Sequence, residues 1–291
     1  MLGDQVHYTD MEGLLTMART SEGLSLLEEN ACAWMKKIAQ EVKAVELIRV
    51  EREQTGPHGE FKFWKCQMTR MNSLVEELAR PDIINVLAIL SMVESNVTPT
   101  WAKLDKKVKA AYAEAMGNVK YLSTIERLCQ PLGLTDLKTM ISRMPNLMKA
   151  LSLIYQCSTF YNTYSHMTVL LVKITNQIIE TCKRYLTNNH TKSIWDQDSS
   201  EIIKRMTECI EINLAYQNAY RETRKSMLES NAKRVFNFSE VQIFGNMNLF
   251  TQRLDYLTRV LKTLEQYSVL RTFVLEGECT VLLIMSSSSV P

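Results

Sequence analysis

A chain of 291 residues, 46% hydrophobic and 23% charged, has material for a sizeable core and the composition of an ordinary globular protein. Its formal charge of +2 makes no electrostatic case for nucleic acid or an anionic membrane, and apolar runs such as Val169 to Val172 are too short to span a bilayer. Asp4, His7 and Asp10 do not make a secretory leader, and seven scattered cysteines without a CxxC point to reduced, buried thiols in a cytoplasmic protein.

Residues 10–52 carry a helical pattern whose stripe is Leu27, Ala31, Trp34, Ile38, Val42, Val45 and Ile48. Gly13 and Gly23 weaken its first part, so the firm helix is expected from Ser25. Thr55-Gly56-Pro57-His58-Gly59 reads as a break, followed by a helix from Glu60 through Met68, Met71, Leu74 and Leu78. Pro81 separates it from a helix over Ile83 to Met92. Thr98-Pro99 supplies a helix start, and Trp101 to Leu128 is expected to be helical until Gln130-Pro131-Leu132-Gly133 ends it. Thr135 is expected to cap a short helix to Arg143, with Pro145 opening the next segment.

Phe160 to Thr187 has the strongest helical signal, with Met167, Leu171, Ile174, Ile178, Cys182 and Tyr185 on one face. Val169, Leu170, Val172 and Ile179 widen that stripe. Lys173, Glu180, Lys183 and Arg184 are assigned to the solvated face, Glu180 and Arg184 as an i,i+4 pair. No glycine occurs between Gly133 and Gly245 and no proline between Pro145 and Pro291, which calls for helices joined by Asn, Asp and Ser turns. Asp198 to Glu201 has capping-box spacing before a helix assigned to Ile203, Met206, Ile210 and Leu214. The aromatic segment Phe236 to Phe244 reads as a linker packed on the bundle. Met247, Phe250, Leu254, Leu257, Leu261 and Leu264 have coiled-coil spacing for under three heptads, which favours an intramolecular seam over a dimerising zipper. The fold class is therefore all-α.

The glycine inventory excludes several chemistries. No glycine precedes a lysine, so a phosphate-cradling GxxxxGK loop is missing. No G-x-G and no GxSxG spacing occurs, which removes the dinucleotide and kinase loops and the hydrolase elbow. The histidines His7, His58, His166 and His190 lack zinc-ligand spacing. His166 could serve as a general base, but without a partner triad a hydrogen-bonded rim position is the better reading. His58 is assigned to a loop surface or packing. Phe61, Phe63 and Trp64 have no accompanying basic groove and are assigned to the core, and the sixteen methionines to core filling. The Asn96, Asn189 and Asn237 triplets match glycosylation acceptors but are taken as coincidences. No residue is assigned a catalytic, cofactor-binding or metal role, and no cofactor is expected.

Four segments resemble the tail of dynein heavy chains. Gly56 to Trp64 (GPHGEFKFW) resembles the family's G-P-x-x-E-(I/F)-x-F-W, and Ala113 to Leu122 its E-A-x-x-N-x-x-(Y/F)-L. Tyr161 to Leu171 is similar to Y-N-T-x-x-x-M-x-x-L-(L/M), and Ile243, Phe244, Gly245, Phe250, Arg253 and Leu254 to I-F-G-x-x-x-x-F-x-x-R-L. Together they cover roughly 56–266 and look closer to axonemal than to cytoplasmic heavy chains.

The resemblance implies an elongated array of antiparallel helical bundles, with the motor ATPase elsewhere in the family's chains. It implies partners among other dynein heavy chains, dynein intermediate or light chains, or docking proteins, with no nucleic acid, membrane or small-molecule substrate. It also implies a place in the axoneme of a cilium or flagellum. The expected divisions are an N-terminal helical segment (1–54), tail-like bundles (55–270) and a divergent, disordered tail (271–291). A generic helical adaptor is the alternative, and a helical hydrolase using His166 a remote one.

Overall fold

The computed structural model describes residues 11–48, 56–188, 190–191 and 193–287, with side chains described as far as 44 in the second helix and 267 in the last. These residues form nine α-helices and one 3-10 turn, with no strand among them, so the protein is all-α. The helices are α1 (Met11–Ala18), α2 (Ser21–Ile48), α3 (Pro57–Leu78), α4 (Pro81–Met92), α5 (Val97–Gly133), α6 (Leu137–Cys157), α7 (Tyr164–Leu186), α8 (Ser199–Glu229) and α9 (Glu240–Ser287). The chain divides into two compact units, one of residues 1–126 with 157–163 and one of 127–156 with 164–291. The boundary expected near residue 54 lies outside the described residues. The one expected at 270 falls within the helical backbone of α9.

In the first unit α1, α2 and α4 pack on one another. Leu27, Ala31, Trp34, Ile38 and Val42 are buried as the α2 stripe demands, joined by Met71, Leu74 and Leu78 of α3, Val86 and Ile89 of α4, and Trp101 and Val108 of α5. Val45 and Ile48, the end of that stripe, have side chains outside the described ones. The helical pattern from residue 10 is interrupted at Arg19 and Thr20, where the Thr20 hydroxyl accepts the Gly23 N–H at 3.2 Å. A Cβ on Gly23 would stand 2.2 Å from the Met17 carbonyl oxygen, so this corner requires glycine.

Three expected boundaries move. Gly56 to Gly59 is not a loop: Gly56 is the N-cap and Pro57 occupies the first helical position, where its missing N–H costs nothing. Gln130 to Gly133 continues α5, and the turn follows, with Thr135 in the left-handed region at φ 54°. Asp136 is the cap, its carboxylate accepting the Thr139 N–H at 3.1 Å, and these bonds hold its pKa below the ordinary carboxylate value. α6 then runs through Pro145 to Cys157, so the expected stop at Arg143 does not occur.

The second unit is organised by α7, α8 and α9, which pack pairwise. Met167, Leu171, Ile174, Ile178 and Cys182 are buried with Leu170, Ile179 and Leu186, whereas Val169 is exposed and Tyr185 half-buried. Phe160 to Thr163 is a turn and not the first turn of α7, because the Ser158 hydroxyl takes the N–H groups of Phe160 and Tyr161 at 3.1 and 2.9 Å. Lys173 is buried instead of solvated. Arg184 does not pair with Glu180: it donates to the Leu132 carbonyl oxygen at 3.0 Å, as does Thr181 at 3.1 Å, and Glu180 pairs with Lys183. A carbonyl in the last turn of α5 has no intrahelical donor, so α7 supplies two.

α8 buries Ile202, Met206, Cys209, Ile212, Tyr216 and Tyr220, while Leu214 of the expected stripe is exposed. The reason is polar. Asn213 and Gln217 belong to the buried face because Asn213 donates to Thr251 and Gln217 to Asn248 of α9, both at 2.9 Å. With Arg221 to Glu240 and Thr258 to the Met206 sulfur, these contacts make antiparallel rungs. They set Ser199, the start of α8, level with roughly residue 265, so the α9 backbone continues about 30 Å beyond α8. Phe236, Phe238 and Phe244 pack against Tyr155, Tyr216 and Tyr220 as expected, but the expected linker ends at Ser239, since residues 240–244 already belong to α9.

Candidate interaction surface

The side chains that carry the resemblance are mostly interior, and in the first unit they meet. Tyr161 is fully buried and its hydroxyl donates to the Glu60 carboxylate at 2.7 Å while accepting the Trp64 indole N–H at 2.8 Å. Trp64 sits edge-on to Phe63, Phe160 and Tyr161 with centroids 4.9–6.4 Å apart. One residue pair further along, Asn118 accepts the Ser158 hydroxyl at 3.0 Å. Thus residues of three motif segments, far apart in sequence, close one polar and aromatic junction. Chemically this junction fixes the fold: the Tyr161 hydroxyl is spent on Glu60 and Trp64 and the Asn118 carbonyl oxygen on Ser158, while the Asn118 amide nitrogen is buried without a partner among the described residues.

The histidines fall in unlike places. His58, in the first turn of α3, is exposed and pairs through Nδ1 with Glu126 of α5 at 2.5 Å. His166 is half-buried near the start of α7, between exposed Ser165 and buried Met167. His190 follows α7, with Nε2 3.9 Å from Glu180. No group of three His, Cys, Asp or Glu side chains among the described residues is placed to hold a metal ion. Among described cysteines, Cys129, Cys182 and Cys209 are buried, as expected of reduced thiols in a core, but Cys32, Cys66 and Cys157 are exposed. Burial pushes the Cys129 pKa up to about 12, and the Cys182 contact with burial raises that of Cys209. These thiols are inert packing groups.

A second polar cluster surrounds Glu208. Tyr185 donates a short hydrogen bond to its carboxylate, Lys138 approaches at 3.8 Å, and the Arg205 guanidinium lies 5.5 Å from the Tyr185 ring centre. Burial, then the Glu208 bond and charge, raise the Tyr185 pKa to about 12. Arg205 is held in turn by Glu201 at 3.0 Å, so the carboxylate of the expected capping box serves a salt bridge while Asp198 caps α8 alone.

Residues 24–285 match the family model described as dynein heavy chain, N-terminal region 1. The chain belongs to the dynein heavy chain family. It is 34% identical to dynein axonemal heavy chain 8 of Mus musculus over 91% of its length and 35% identical to dynein axonemal heavy chain 5 of Rattus norvegicus over 90%. It is 30% identical to the dynein gamma chain of the flagellar outer arm of Chlamydomonas reinhardtii over 93%. It spans 6%, 8% and 6% of those relatives, so it corresponds to a small part of each. The matched region continues to residue 285, beyond Gln266, where the motif resemblance fades.

What sequence reading missed is a surface. α9 buries Met247, Leu254, Thr258 and Leu261, but exposes Leu249, Tyr256, Val260, Leu264 and Tyr267. Leu264, expected in the seam, belongs to the exposed set. At 3.6 residues per turn these five fall within roughly a quarter of the circumference, away from the buried seam. The signal was present in the sequence as a second period-matched apolar stripe, but periodicity cannot say which of two stripes a neighbour covers.

Proposed function

We propose that this chain is a non-catalytic tail segment of an axonemal dynein heavy chain, serving assembly with other heavy chains, intermediate or light chains, or docking proteins. Through that assembly it contributes to attaching a microtubule-based ciliary motor within the axoneme. The observation that carries the reading is the match of residues 24–285 to the N-terminal region, joined by relatives whose names assign them to axonemes and flagellar arms. The surface chemistry supports it. Exposed leucine, valine and tyrosine framed by charged side chains suits protein contact better than a small polar substrate.

The test is to express the tagged chain in ciliated cells, isolate axonemes, extract them with salt and identify what co-purifies. The expected result is co-purification with dynein heavy chains or arm subunits, and no nucleotide hydrolysis by the purified chain. A tagged chain that stays out of axonemes and recovers no dynein subunit overturns the reading. Hydrolysis lost in His166→Ala would replace it with the enzyme alternative.

A further inference from the structure

We propose that the outer face of α9 seats a helix of another polypeptide. That helix lays leucine or aromatic side chains along Leu249, Tyr256, Val260, Leu264 and Tyr267 and sets a carboxylate against Arg253. This deepens the assembly reading and rests on it. The five side chains are 48–68% exposed and follow one another at intervals of seven, four, four and three, the repeat that meets a second helix along a seam.

The occupant is argued from charge. Arg253 lies within the stripe, is exposed, and makes no ion pair among the described residues. The nearest carboxylate along the helix, Asp255, is committed to Arg259 at 2.7 Å. A second copy offers Arg253 no carboxylate. A parallel copy would set Arg253 against its own counterpart, and an antiparallel copy matching Leu249 to Tyr267 would set it against Thr263. A foreign helix with Asp or Glu at that level gives Arg253 the opposite charge that neither arrangement of a second copy supplies, and adds a charge-assisted hydrogen bond. The stripe offers on the order of 500 Å² per side, near the lower bound for a specific interface, so one charge weighs heavily.

The experiment puts p-benzoylphenylalanine in place of Tyr256 in the whole chain, irradiates it in a salt extract of axonemes, and maps adducts by residue-level mass spectrometry. The expected adducts fall on a helical segment of another polypeptide that has apolar residues at spacings of three and four and a carboxylate at the level of Arg253. Arg253→Glu should lower their yield at least fivefold with unchanged melting, and exchanging the partner carboxylate for lysine should restore it. Adducts to a second copy alone, to segments lacking that carboxylate, or at yields matching a probe at exposed Lys204 overturn the proposal. If the unmodified chain still co-purifies with dynein subunits, only this surface is refuted. If it recovers none, the assembly reading falls and this proposal with it.

Discussion

Replacing Tyr161 by phenylalanine keeps the ring and removes one hydroxyl, which makes it the sharpest probe of the junction that joins the motif segments. That hydroxyl donates to the Glu60 carboxylate and accepts the Trp64 indole N–H, and its residue is fully buried. A bond to a charged group contributes about 1.5–3 kcal/mol and a neutral one about 1 kcal/mol, so Tyr161→Phe should destabilise the first unit by roughly 2–4 kcal/mol. For a unit of this size that lowers its Tm by about 10 °C. Trp34, Trp64 and Trp101 belong to this unit and Trp195 to the other, so urea unfolding followed by tryptophan fluorescence in a Trp195→Phe background reports the right transition. The circular dichroism transition of the second unit should hold its midpoint. A loss below about 0.5 kcal/mol would refute the reasoning, because it would mean the two bonds are no better than those the unfolded chain makes with water.

Three further outcomes are expected. Gly23→Ala forces a Cβ onto the Met17 carbonyl oxygen and should destabilise the α1–α2 corner by about 1–3 kcal/mol, read as faster amide exchange over residues 11–24; unchanged exchange refutes it. Asp198→Ala removes the α8 cap and should cost about 1 kcal/mol, whereas Asp198→Asn should cost little, both measured by thermal melting. Tyr185 has a folded pKa raised to about 12, so its stabilising contribution is full below about pH 10 and is lost as pH rises from there through 12. Tyr185→Phe should flatten alkaline destabilisation in that window, and an unchanged alkaline profile would contradict the Glu208 contact.

Much of the helical framework was legible along the chain because helix periodicity is local. Leu27 to Val42 of the α2 stripe, Met167 to Cys182 of the expected α7 face and the Asp198 cap are found where the spacing puts them. Errors occur where a side chain competes for the backbone or a distant partner redirects a polar group. Ser158 ends the expected start of α7, and Leu132 draws Arg184 away from Glu180. On α8 the buried face was misread by its apolar residues, since Asn213 and Gln217 face inward only because Thr251 and Asn248 await them. Such pairs are invisible without the register of α9.

The helical class, the missing phosphate loop and, through four ordered segments, the family are legible in residue order alone. Each depends on residue identity and near-neighbour spacing, which folding does not alter. Tertiary structure decided which stripe of α9 is seam and which is surface, and that Glu60, Trp64 and Tyr161 share one hydroxyl. Burial is a property of what stands opposite a side chain. A helix with two apolar stripes carries no local mark of which one its neighbours will cover.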